Sequence, residues 1–222
     1  MKISWLGQAG LLFVTEQTTV LIDPYFSDSA ASVATHRKMP VSSNVWEIKP
    51  DLMLFTHDHI DHYDPETVPH FIHAESAVTV LSPASVWEKV RVNGGNNNYV
   101  KMRPGVVWTH KDVTVTAVDA IHSDPHAIGY LIEHDQKTFY VTGDTLYAPA
   151  MSEQLPTKID VVFLPINGKG NNMNAIDAAK FCDCIHAKLA VPIHFGMLDE
   201  IDPTEFVWKN VLIPKIYEEM IL

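Results

Sequence analysis

The chain has 222 residues, 46 % of them apolar and 19 % charged, which is ordinary for a soluble globular protein with a real core. Sixteen Lys and Arg stand against 27 Asp and Glu, and the formal charge of −11 repels phosphate backbones, which argues against nucleic-acid binding. Two cysteines, Cys182 and Cys184, are too few for a disulfide framework, and no apolar stretch approaches the length of a membrane span. The opening MKISWLGQAG carries one positive charge but no apolar signal region or cleavage site, so it reads as a strand. These features lead to the expectation of a cytoplasmic protein with one domain over 1–222, free of membrane contact.

In chain order, strands are predicted over 2–6, 11–15 and 18–22. A long aperiodic loop over 24–50 follows, rich in Ser and Pro, with a basic cluster of His36, Arg37 and Lys38. Strands come next at 51–56 and 77–81, then a helix over 83–91 opened by Pro83. Further strands are predicted at 113–118, 127–133, 138–142 and 159–164. Val113, Val115 and Ala117 alternate with Thr114 and Thr116, which marks a half-buried strand. The unbroken run Val161 to Leu164 marks a strand covered on both faces. A Gly- and Asn-rich loop over 166–174 leads into a helix over 175–186. Asn174 is its expected cap, with Asp177 approximating a capping box and Ala175, Ala178, Ala179, Cys182 and Ile185 on one stripe. A strand at 189–193 and a short helix near 203–210 complete the series. Strands precede helices in each half, which favours packed sheets with outer helices.

The chemistry concentrates in FTHDHIDHYD, residues 55–64, where His57, His59 and His62 alternate with Asp58, Asp61 and Asp64 just past an apolar strand. In a turn, three imidazoles and the Asp61 carboxylate can converge on one point, and borderline divalent metals prefer these donors. One metal takes more ligands than this segment supplies. Three later strand ends supply them: His122 after 113–118, Asp144 after 138–142 and His194 after 189–193.

THDHIDH resembles the His-x-His-x-Asp-His signature of the metallo-β-lactamase superfamily, and His122, Asp144 in TGDT and His194 follow in that superfamily's order. LIDP with Asp23 resembles its first motif. The resemblance implies an α/β (α+β) fold, a four-layer αββα sandwich of two mixed β-sheets with outer helices. It also implies two divalent metal ions, either zinc or manganese, with iron a further choice for this donor set. His57, His59 and His122 would hold the first ion and Asp61, His62 and His194 the second, with Asp144 bridging. Asp61 and Asp144 would serve catalysis as well as ligation, and Asp23 and Asp58 would be supporting carboxylates. WLGQAGLLF, LIDPYFSDS, LPING, NMNAIDAAKF and VPIHFG are similar to the L-ascorbate-6-phosphate lactonase-like branch. That likeness implies assembly into a homo-oligomer, to which Trp46, Trp87 and Trp208 could lend apolar surface.

The expected activity is metal-dependent hydrolysis: a metal-activated hydroxide attacks a small, anionic lactone, ester or phosphoester. No Gly-x-Ser-x-Gly nucleophile elbow competes with it. Asn167, Lys169, His126 and Arg37 are the candidate substrate contacts, each weighed against an ordinary solvated loop residue. The rival readings are a small-molecule phosphodiesterase, a persulfide dioxygenase-type or flavodiiron-type redox enzyme, and a non-catalytic metal-containing binding protein.

Overall fold

The computed structural model describes residues 1–222 as two mixed β-sheets packed face to face, with short helices outside them. The first sheet contains β1 (Lys2–Gly7), β2 (Gly10–Val14), β3 (Thr19–Ile22), β4 (Leu52–Leu54), β5 (Thr79–Ser82) and β6 (Asn98–Lys101) side by side. The second contains β7 (Val107–His110), β8 (Val113–Asp119), β9 (Ile128–His134), β10 (Lys137–Val141), β11 (Ile159–Pro165) and β12 (Ala187–Ile193). A short β13 (Glu219–Met220) returns to pair with β1 and closes that edge of the first sheet. In each sheet the early strands are antiparallel and the later ones parallel: β3 through β6 in the first, β10 through β12 in the second.

The pleat sorts side chains between two apolar layers. Val20, Ile22, Leu52, Leu54 and Leu81 face the space between the sheets. Their neighbours Leu21, Met53 and Val80 point the other way, onto Val68 and Phe71 of α1 (Val68–Phe71) and Val86 and Val90 of α2 (Ala84–Val90). Burial on both faces is why these strands read as unbroken apolar runs. Phe13 bridges the sheets, its ring 5.8 Å from Phe139 and 5.6 Å from Phe163, in the edge-to-face geometry that aromatic quadrupoles favour. Tyr140, next to Phe139, faces outward to Phe181 of α3 (Ala175–Cys184), 6.1 Å away.

Asn174 caps α3 as expected, its side chain accepting the Asp177 amide. The buried stripe is Ala178, Phe181 and Cys182, continued by Ile185, while Ala175 and Ala179 are half-buried. Pro83 serves as the N-cap of α2 rather than its first residue. The helix expected near 203–210 is a single 3-10 turn, Pro203–Glu205. The following backbone is drawn to the β12 edge instead: Ala190 donates to the Asn210 carbonyl and Leu212 to the Ala190 carbonyl. No helix is long and apolar enough to cross a membrane.

Candidate metal centre

Seven side chains meet at the edge where the parallel strands of both sheets end: His57, His59, Asp61, His62, His122, Asp144 and His194. His57 comes three residues after β4, His122 three after β8, Asp144 three after β10 and His194 directly after β12. Two cross-sheet contacts lock this edge. The Ile128 amide donates to the Thr56 carbonyl at 3.0 Å. The Tyr130 hydroxyl lies 2.8 Å from the Phe55 carbonyl and 3.1 Å from that of Leu81. Gly143, at φ +62°, lets the TGD turn approach, because a Cβ there would lie 2.8 Å from Thr56 Cβ. Asp23 and His194 turn their side chains inward from the left-handed region, at φ +41° and +59°. Such backbone costs energy for a side-chain-bearing residue and persists where the surroundings hold it.

The ligand atoms form three overlapping trios, each within 4.8 Å: His57, His59 and His122; His57, His62 and Asp144; and Asp61, His62 and His194. His59 Nδ1 lies 3.1 Å from His122 Nε2. Asp144 reaches both sides, with Oδ1 3.2 Å from His62 Nε2 and Oδ2 3.2 Å from His194 Nε2. Asp61 Oδ2 is 3.2 Å from His194 Nε2 and 3.9 Å from His62 Nε2.

Supporting bonds orient the rings. His62 Nδ1 lies 2.8 Å from Asp23 Oδ2, and Asp23 also accepts from the Thr56 amide and hydroxyl. His57 Nδ1 lies 3.1 Å from the Thr56 hydroxyl. His122 Nδ1 faces the Asn171 carbonyl at 3.3 Å, and His59 Nε2 the Ser123 hydroxyl at 3.2 Å. Asn172 Nδ2 donates to Asp144 at 2.8 Å, and Gln8 Nε2 to Asp61 at 2.8 Å. With their Nδ1 atoms so engaged, His57 Nε2 is buried without a hydrogen-bond partner, and His62 Nε2 faces only the Asp144 carboxylate, 3.2 Å away. An unpaired buried polar atom is costly, and a divalent cation is the partner that imidazole nitrogens beside carboxylates accept. The cluster is therefore able to bind metal.

The electrostatics agree. Burial disfavours charge on His62, but Asp144, Asp61 and Asp23 outweigh it and hold its pKa well above the ordinary value. Burial likewise opposes charge on His194, yet Asp144 and Asp61 raise its pKa to about 10. Burial disfavours the Asp61 and Asp144 anions, but His62 and His194 hold both carboxyls far below the usual range. His57 goes the other way: burial, then the neighbouring His62, pushes it down. Without a cation, protons on His62 and His194 neutralise the carboxylates, and a cation would displace them.

The other predicted residues divide. Asn167 reaches the cluster, with Nδ2 3.0 Å from His194 Nδ1. Lys169 is exposed at the tip of the same loop. His126 is exposed, and its amide donates to Asp124. Arg37 is not available to a substrate as expected: it donates to the Tyr25 and Met39 carbonyls and the Tyr217 hydroxyl, and stacks on Tyr25. Asp58 does not support a ligand as expected, because its carboxylate pairs with Lys89 at 2.6 Å. Asp64 is buried under the Ser29 and Thr67 hydroxyls, where it braces the loop. Thr56, Gln8 and Asn172 went unpredicted. Gln8 carried a signal, being a lone polar residue within the apolar WLGQAG.

Comparison with known proteins finds relatives over most of the chain. The β-lactamase superfamily domain matches residues 18–195. A UPF0173 protein of Pyrococcus furiosus is 32 % identical, with 98 % of each chain covered. A UPF0173 metal-dependent hydrolase of Listeria monocytogenes is 30 % identical over 93 % of this chain and 91 % of its own. The solved structure of Igni18, a metallo hydrolase from the hyperthermophilic archaeon Ignicoccus hospitalis, superposes with a TM-score of 0.79 at 20 % identity. That superposition covers 99 % of this chain and 97 % of the other. The chain belongs to the metallo-β-lactamase superfamily, within its UPF0173 group of metal-dependent hydrolases.

Proposed function

We propose that the chain is a dinuclear hydrolase of a small anionic substrate, with a lactone or ester favoured over a phosphoester. The observation that carries the reading is the orphaned, buried Nε2 of His57, in a trio with His62 and Asp144. His57, His59 and His122 would hold one divalent cation and Asp61, His62 and His194 another, with the Asp144 carboxylate in reach of both groups. Zinc, manganese and iron all suit this donor set. What the cations supply when bound is a water of lowered pKa and positive charge against the developing oxyanion.

The protein's own residues orient and select. Asp23 fixes the His62 ring, and Asn172 holds the Asp144 carboxylate in place. The loop carrying Asn167, Asn171 and Asn172 touches His194, His122 and Asp144 in turn, so Lys169 stands between contacts to both cation sites. Its ammonium has no carboxylate partner, whereas Lys38, Lys89, Lys111 and Lys188 are all paired. A free cation on this rim of a protein with net charge −11 selects for an anionic substrate. No protein nucleophile is needed.

The test is elemental analysis of the native protein, coupled to a screen of lactones, esters and phosphodiesters with oxygen uptake recorded. Two ions per chain and turnover of a lactone or ester are expected. Oxygen consumption would replace hydrolysis with redox chemistry, exclusive phosphodiester turnover would move the substrate class, and metal without any turnover would favour a binding protein. Replacing Lys169 with Ala is expected to raise KM for an anionic substrate about tenfold, the worth of one well-placed ionic contact, and to leave a neutral analogue unaffected.

A further inference from the structure

We infer that Gln8 is a positioning residue for the cation site of Asp61, His62 and His194, and that it leaves the His57, His59 and His122 trio untouched. The inference rests on the two-site reading above.

Gln8 lies in the turn between β1 and β2, where the strand register shifts between Trp5 and Gly7. Such irregularities re-aim a side chain next to functional sites. Gly7 takes φ +95°, and a Cβ there would lie 2.4 Å from Met197 Cε and 2.9 Å from Ile216 Cδ1. The positive φ strains any side-chain-bearing residue at position 7, and the ends of the Met197 and Ile216 side chains would have to move aside for it. Gln8 itself stands at φ +50°. Its carbonyl accepts the Trp5 indole N–H from its own strand at 2.9 Å and the His194 amide from the opposite sheet at 2.9 Å. The turn is thus clamped by both sheets, and the His194 backbone is part of the clamp.

The side chain exploits that rigidity. Gln8 is 2 % exposed, and its Nε2 lies 2.8 Å from Asp61 Oδ2 and 3.1 Å from His194 Nε2. Asp61 sits in the loop after β4, and its Oδ2 lies between the Gln8 amide of the β1–β2 turn, at 2.8 Å, and His194 Nε2 of the second sheet, at 3.2 Å, so the Gln8 amide orients the carboxylate toward its partner ligand. A neutral donor orients a carboxylate without cancelling the charge that attracts a cation, as a Lys or Arg in its place would. The other trio relies on different groups: the Thr56 and Ser123 hydroxyls and the Asn171 carbonyl. Losing Gln8 should therefore separate the two sites.

The test is a calorimetric titration of chelator-treated full-length protein with zinc, comparing wild type, Gln8→Met and His194→Ala. The His194→Ala titration identifies which binding event belongs to the second trio. In Gln8→Met that event should weaken about 10- to 100-fold, the usual effect of removing a group that orients a ligand, while the other event is unchanged. Circular dichroism of the cation-free variant should match wild type. Equal weakening of both events would mean that Gln8 serves the fold alone, and no weakening would mean that it serves neither; either result overturns the assignment. A wild-type chain that binds one ion overturns the two-site reading together with this assignment. If Gln8→Met does not fold, Gln8→Asn keeps the amide one methylene short and should weaken the same single event.

Discussion

The trio of His57, His59 and His122 and the trio of Asp61, His62 and His194 share one edge of the sandwich but differ in support and in charge. In the first, His59 and His122 are half-exposed and steadied by a serine hydroxyl and a main-chain carbonyl. In the second, His62 is fully buried and His194 is 6 % exposed, and their partners are Asp23, Asp144, Gln8 and Asn167. In the first, burial lowers the pKa values of His57 and His122; in the second, carboxylates raise those of His62 and His194. The contrast teaches that similar ligand types can make one site that is open and loosely held and another that is rigid and electrostatically preloaded.

The largest way to break this comparison is to remove what the sites share. Asp144→Ala should abolish activity and cut affinity at both sites by more than about 100-fold, beyond the effect of losing an outer partner. His57→Ala should abolish activity too, with the affinity loss at the site of His57, His59 and His122. Elemental analysis after dialysis checks both, and stoichiometric metal in either variant would sink the ligand assignment.

Next comes Asp23→Asn, which keeps the shape but loses the carboxylate behind His62. It should weaken one of two zinc-binding events about 10- to 100-fold and spare the other. Uniform weakening would show that the second trio has no separate support.

The charge difference predicts a pH response for the cation-free protein. His194, raised from 6.5 to about 10, contributes stability that is complete below pH 6.5 and is lost as pH rises through about 10. His62 adds in the same direction. Asp61 and Asp144, held below 3.8, contribute stability that is present above that value and lost as pH falls further. His57 and His122, lowered from 6.5, withdraw stability as pH falls below that value, so the chelated chain should melt highest near pH 6.5. With zinc bound, the alkaline loss should shrink, because the cation replaces the protons. A melting temperature of the chelated protein that stays flat from pH 7 to 10 would contradict the preloaded second trio.

The smallest effect lies outside the comparison. Asn174→Ala removes the α3 cap and should cost about 1 kcal/mol in denaturant unfolding while both zinc affinities stay unchanged. A change in either affinity would show that the 166–174 loop transmits strain from the helix.

Local pattern announced what local physics controls. Continuous apolar runs marked β4 and β11 because both faces of those strands are covered, and Asn174 marked the start of α3 because its side chain satisfies an exposed amide. Strands β6, β7 and β13 went unseen. They are short or half-exposed and lie at or near sheet edges, so their partners, and not their composition, make them strands. The helix expected near 203–210 failed for the same reason, since the β12 edge competes for its backbone.

Within the site, the sequence by itself determined the donor inventory: three histidines and Asp61 in one segment, then His122, Asp144 and His194 at later strand ends. Ligand chemistry demands particular side chains, and those are visible one letter at a time. Only the tertiary structure decided which carboxylates and amides stand behind the ligands. Asp23 and Asp58 were equal candidates, yet one reaches His62 and the other is taken by Lys89. Arg37 went to the loop wall, while Gln8, 53 residues from Asp61 and 186 from His194, reached both. A supporting hydrogen bond depends on distance and direction across two packed sheets, and neither is written in the order of residues along the chain.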